Sequence, residues 1–179
     1  MNRMLGGLQR SLSNMLARAV VTGLNSAAKC QMLQVGLMAN EIKDNIEHLE
    51  PYGFTAAPHL GAEGIAVFPD GDRSHGVIIV VADRRYRLKG LAAGEVAIYT
   101  DEGDSIILKR GRLIEATTDR FIVHATTKIT FDSPLVEGTG EVRDATGTLS
   151  AMRQQFNGHD HNDGNDKTGK PNQLMGGQG

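Results

Sequence analysis

The sequence predicts a mainly β protein, with a small barrel followed by a stacked β rod that ends in a polar tip. Three observations predict it. An eight-residue period runs through the second half of the chain, in the rows Asp104-SIILKRG, Arg112-LIEATTD, Arg120-FIVHATT and Lys128-ITFDSPL. Before it, short apolar runs bounded by turn residues fill the stretch from residue 20 to about 90. After it, the chain becomes polar and glycine-rich from Asn157 onward, yet carries His159 and His161. In the repeat, Ile106, Ile114, Ile122 and Thr130 share one column, and Arg112, Arg120 and Lys128 open successive rows. A fixed period this short signals a stacked β structure. Eight residues cannot bury their own apolar face, so the rows must stack as a solenoid or wind with the rows of other copies about a shared axis.

Length and composition bound the rest. The 179 residues allow one or two small domains with a modest core. A formal charge of −2 gives no global attraction to nucleic acid, for which a clearly basic face is expected. The single cysteine, Cys30, rules out an intrachain disulfide and reads as a structural thiol made in a reducing cytosol. No apolar run approaches the roughly 18 to 20 residues that cross a bilayer. The N-terminus also lacks the pattern of a cleaved leader, so the expectation is a soluble chain made in the cytoplasm. Twenty-two glycines spread along the chain suit many turns between short strands.

In order along the chain, residues 1–19 place Met4, Leu5, Leu8, Leu12, Met15, Leu16 and Ala19 at spacings of three and four, the pattern of an amphipathic docking helix. Residues 20–90 hold strand-like runs at Ala19-VVTGL, Cys30-QMLQVGLMA, Gly64-IAVFP and Val77-IIVVAD, with turns at Pro51-Tyr52-Gly53 and Pro69-Asp70-Gly71-Asp72. Glu41-IKDNIEHL between them fits either a helix or a strand. A Greek-key barrel of about 70 residues accommodates this pattern. Its basic cluster, Arg84, Arg85, Arg87 and Lys89, has Tyr86 as sole aromatic neighbour and reads as a solvated strand edge or subunit contact rather than a base-stacking platform.

Residues 91–156 carry the repeat, with period-2 alternation and Gly or Asp/Ser/Pro turns. About five rows are thin for a solenoid that must cap both ends, and three intertwined chains would bury the same stripe with fewer rows. Residues 157–179 form the tip. His159 and His161 stand at i and i+2, which share one side of an extended strand. Two imidazoles are too few to close a metal site, but three chains on an axis supply six nitrogens in an octahedral set, which fits iron, nickel or cobalt better than zinc. A filled set leaves no open position for catalysis. Asp160, Asp163 and Asp166 lack the bidentate glutamate of a calcium loop. His48, His59, His75 and His124 are scattered with no catalytic motif around them.

The order of parts, with His159-Asp160-His161 and Thr168-Gly169-Lys170-Pro171 at its end, resembles the central spikes of contractile-tailed bacteriophages, the baseplate assembly protein V-like family, and within it the Mu-like spikes. The likeness covers nearly the whole chain. It implies an OB-fold barrel followed by an intertwined, trimeric, triple-stranded β-helix with a metal-bound pointed tip. It implies a homotrimer whose barrels attach to the tail hub and baseplate proteins, and one iron ion held jointly by His159 and His161 of three chains. Calcium and chloride ions also lie within spikes of this kind. The resemblance further implies a virion component, assembled in the host cytoplasm into the tail baseplate and driven through the host outer membrane when the sheath contracts. With no space for a lysozyme domain, the expected role is mechanical rather than enzymatic, with no nucleic-acid partner. Two other readings compete: a module whose barrel binds an oligosaccharide or nucleic acid with the β region as spacer, and a metalloenzyme using the terminal histidines.

Overall fold

A computed structural model of the chain describes residues 15–38 and 41–176. The helix read in residues 1–19 therefore lies mostly outside the described residues, and its end is corrected: β1 (Leu16–Asn25) is already a strand from Leu16. Within β1 the buried positions are Ala19 and Val21, the period of two that a barrel wall requires. β2 (Gln31–Gly36) alternates more strictly, burying Gln31, Leu33 and Val35. The ambiguous run after Glu41 resolves as a strand, β3 (Ile42–His48), which buries Ile46 and His48. β4 (Glu63–Val67) and β5 (Val77–Ala82) complete a closed barrel in the order β1-β2-β3-β5-β4. All its pairings are antiparallel except β3 with β5, which run parallel through Glu47↔Val77 and His48↔Ile78. This is the small Greek-key barrel that the turn spacing predicted.

The barrel core is compact and aliphatic around one ring. Phe68, Val35 and Ala66 are fully enclosed, with Leu33, Val21 and Ile78 against them. Gly76 has a steric reason to be glycine, since a Cβ there would stand 2.5 Å from the Phe68 ring. The buried polar pair is satisfied: the Gln31 amide donates to the Ala56 carbonyl at 2.9 Å, and its oxygen meets His48 Nδ1 at 2.9 Å. An amide oxygen can only accept, so His48 Nδ1 carries the proton. The β3–β4 loop thereby gains an anchor inside the barrel. The turn at its tip is held by Gly53 at φ 86, where Phe54 N–H donates to the Pro51 carbonyl.

The first two repeat rows are not successive rungs of a solenoid. β6 (Val96–Tyr99), β7 (Ser105–Lys109) and β8 (Leu113–Thr117) form an antiparallel meander in which rows one and two face each other, with Leu108↔Ile114 and Ile106↔Ala116. The reversal at Arg110 to Arg112 uses two positive φ values, Gly111 at 80° and Arg112 at 62°. Opposed residues in an antiparallel ladder share a face. Val96, Ile98, Ile106, Leu108, Ile114 and Ala116 therefore line one side of this sheet, and all of them are exposed. The other side carries the Lys109–Glu115 ion pair across Ile107.

Rows three and four find no strand partner in their own chain. Residues 118–148 contain only an isolated bridge, Arg143↔Thr148. Phe121, Ile122, Val123, Phe131 and Leu135 are all more than half exposed along this stretch. The chain divides into two compact units between Phe121 and Ile122. Residues 149–156, expected within the β rod, are instead the body of a helix, α1 (Leu149–Gly158). Its sequence holds no β-branched residue and no proline, which favours helix over strand. Among the described residues no helix is long and apolar enough to cross a membrane.

Candidate functional site at the His-x-His tip

The tip is built outward from α1. Thr148 caps the helix, its hydroxyl oxygen accepting from Ala151 N–H at 3.1 Å. Upstream, the Asp144 carboxylate accepts from the Thr146 hydroxyl, Thr146 N–H and Gly147 N–H at 2.6, 2.7 and 2.9 Å. The Glu141 carboxylate accepts from the Ser150 hydroxyl and, at 3.3 Å, from Ser150 N–H. These hydrogen bonds hold both carboxyls below their ordinary pKa: the Ser150 bonds act on Glu141, and those from Thr146 and Gly147 act on Asp144. A depressed folded-state pKa contributes stability above the unfolded pKa and loses it as pH falls through the folded value. Acidification through and below the usual carboxylate range is therefore expected to loosen the start of α1. Protection factors of the Ser150 and Ala151 amides, that is, hydrogen exchange corrected for its intrinsic slowing in acid, should fall in that window, and unchanged protection would count against the two carboxylates as anchors.

At the other end of α1 the chain turns extended at His159, φ −74 and ψ 150. His159 Nδ1 faces the Phe156 carbonyl oxygen, an orphan acceptor of the last helical turn. Because a carbonyl only accepts, Nδ1 is the donor of this hydrogen bond, which leaves Nε2 facing away from it. The Phe156 and His159 rings lie 5.3 Å apart, and those of His159 and His161 5.0 Å apart, nearly edge-on at 87°. His161 is fixed through its backbone. Its N–H donates to the Thr168 hydroxyl at 2.9 Å, and its carbonyl accepts from Thr168 N–H at 2.9 Å. Thr168 is thus the residue of the Thr-Gly-x-Pro segment that clamps His161, across a hairpin of β9 (Asn162–Asp163) and β10 (Asp166–Lys167). Gly164 at φ 64 makes that turn.

The residues after Pro171 return along the helix. Met175 N–H donates to Asn157 Oδ1 at 2.8 Å, and Asn157 Nδ2 donates to the Met175 carbonyl at 3.2 Å. The segment that composition alone would read as a loose tail is therefore hydrogen-bonded along much of its described length.

One chain supplies two imidazoles and little else. Among the described residues no group of three or more His, Cys, Asp or Glu side chains is poised around a metal position. Asp160 is turned to Lys167 Nζ at 3.5 Å. The two imidazoles are donors of the type that binds transition metals. Imidazole suits iron, nickel, copper and zinc, and a ring nitrogen tied to a carbonyl is the usual way a ligating histidine is oriented. His159 has that arrangement.

Two of the four cations in the basic cluster at the barrel are ion-paired. Arg84 pairs with Glu63 at 2.7 Å and Arg85 with Asp83 at 2.6 Å, while Arg85 also lies 5.2 Å from the Tyr86 ring centroid. Tyr86 in turn packs on His59, whose Nε2 meets Asp101 Oδ2 at 3.0 Å. These residues lie in a turn after β5 rather than on a strand edge. These contacts knit neighbouring loops together.

Comparison with known proteins decides the family. Residues 18–85 match the family model described as Bacteriophage Mu Gp45, N-terminal, a span that coincides with the five barrel strands. The baseplate puncturing device gp45 of Escherichia phage Mu is 40% identical over 157 residues, covering 87% of this chain and 79% of that protein. The chain belongs to the Mu gp45 family. A second member, the Mu-like prophage FluMu protein gp45 of Haemophilus influenzae, is 35% identical over 181 residues, covering 95% of this chain and 97% of its own length. Likeness within the Mu gp45 family is thus not confined to the barrel.

Proposed function

We propose that this chain is the membrane-piercing spike of a contractile tail baseplate, acting as a homotrimer that penetrates the host outer membrane during contraction. The observation that carries the reading is the uncovered apolar surface of the repeat. One whole face of the β6–β8 sheet and the extended rows after it are exposed in a single chain. Unpaired strands with apolar side chains call for partner strands, and three copies about an axis supply both the ladders and the burial. Rows three and four would then intertwine as a triple-stranded β-helix. That a relative is named a baseplate puncturing device supports the same role.

In this reading the barrel is an OB-fold that docks on the tail hub and baseplate proteins, and axial force passes through interchain ladders to the tip. His159 and His161 of three chains would hold one iron ion. Bound iron would tie together three chain ends that bury little surface of their own. The chain's own residues orient the ligands: the Phe156 carbonyl accepts from His159 Nδ1, and Thr168 fixes the His161 backbone. The work is mechanical and requires stiffness rather than turnover.

Elemental mass spectrometry on size-fractionated, untagged protein, with native mass measured on the same sample, tests this reading. A trimer with one iron per three chains is the expected result. A monomer would overturn it. The His161→Ala variant is expected to lose the metal while remaining trimeric, because the repeat supplies most of the contact between chains. Dissociation on metal loss would contradict that division.

A further inference from the structure

We propose that α1 is a collar helix that docks against the same helix of two further copies of this chain, directly ahead of the histidines. The inference rests on the trimeric reading above and extends it to a named surface. Leu149, Met152 and Phe156 are spaced three and then four residues apart, the seam spacing of a coiled coil. At 3.6 residues per turn they fall within about 60° of one another around the helix. In the chain alone they are 36%, 51% and 39% exposed, and no residue of α1 is buried. A ten-residue helix is marginal by itself and depends on packing of its apolar face.

The flanks of the stripe indicate what covers it. On one side, the returning tail occupies the helix along Arg153 and Asn157, with Met175 held by Asn157 and Gly176 beside the Arg153 side chain. The tail thus leaves the stripe open. On the other side, a cleft of about 390 Å³ lies between the 142–148 segment and the helix, lined in part by Val142, Ala151, Met152 and Gln155. Leu149 and Met152 of the stripe also line this cleft, so stripe and cleft form one continuous surface. A knob from one copy seated in the cleft of the next is a heterologous contact, and such contacts close into a ring when the rotation permits.

The same spacing points to a purpose. One further step of three from Phe156 reaches His159, whose ring already contacts Phe156. A collar that brings three stripes to the axis therefore brings three His159 side chains to one level.

Cysteine cross-linking in the full chain tests this, in a Cys30→Ala background with diamide as oxidant and native mass recorded beside a non-reducing gel. Met152→Cys lies on the stripe, and Gln154→Cys lies on the opposite side of α1. Both variants are expected to be trimers. Met152→Cys should form disulfide-linked dimers involving up to about two thirds of the chains, since three thiols around an axis can pair only two at a time. Gln154→Cys should remain unlinked, and Leu149→Cys, one turn before Met152, should repeat the Met152→Cys result. Trimers in which Met152→Cys and Gln154→Cys link equally, or neither links, would overturn the collar and leave the spike reading standing. A monomeric mass would overturn the spike reading and the collar with it.

Discussion

Leu108→Asp is expected to abolish the proposed trimer. Leu108 sits on the central strand of the β6–β8 sheet, opposed by Val96 on one side and Ile114 on the other, in the middle of the exposed apolar face. If that face is the inner wall of a threefold assembly, the variant places three carboxylates close to the axis. Burying an unpaired charge costs several kcal/mol per chain even after relaxation. The loss is multiplied by symmetry, so analytical ultracentrifugation should show monomer at concentrations where the unmodified chain is fully associated. Thr117→Asp, near the end of β8 on the opposite face, is the matched control and should leave the trimer intact. The strand period of two makes the contrast sharp. If both variants stay trimeric, the apolar face is not the interface.

Phe68→Ala is expected to unfold the barrel at ordinary temperature or bring it close to that point. Phe68 is fully enclosed, and its ring fills the space left by Gly76. Removing a buried phenylalanine costs about 3 to 5 kcal/mol, because the lost transfer energy is joined by a cavity that β-strands cannot close. In a domain of this size that lowers Tm by roughly 15 to 30 °C. Calorimetry on the full chain should show the barrel transition moving to lower temperature. A shift of only a few degrees would mean that the barrel relaxes around the cavity, contrary to the packed ring seen here.

Much of the barrel was legible because local signals agree there. Alternating burial in QMLQVG, turn residues at Pro51 to Gly53, and the β-branched run at Val77 all point the same way, and the structure follows them. Glu41-IKDNIEHL was ambiguous because its strand carries a bulge: Asn45 has φ 54, and the β2–β3 register shifts between Leu33 and Val35, which breaks the period of two. Leu16 and Ala19 fit a helical spacing equally well, but pairing with β4 placed them in a strand. α1 went unread for the opposite reason. A strong eight-residue rhythm drew the rod boundary past Thr148, although Thr148-LSAMRQQF contains a cap residue and good helix formers.

The tip divides in the same way. His159 and His161 were visible as a pair, since spacing alone places two imidazoles near each other. The role of Thr168 was not, because a bond from residue 168 to residue 161 exists only once Gly164 has turned the hairpin. What the sequence by itself determined is the set of local periods: short barrel strands, an apolar column every eight residues, and two histidines two apart. Only the tertiary structure decided partners. It folded rows one and two onto each other, left rows three and four unpaired in the chain, and brought the tail back to Asn157. The physical reason is that a period states which face of a strand is apolar, while the identity of its neighbour depends on loop geometry and on surfaces distant in sequence.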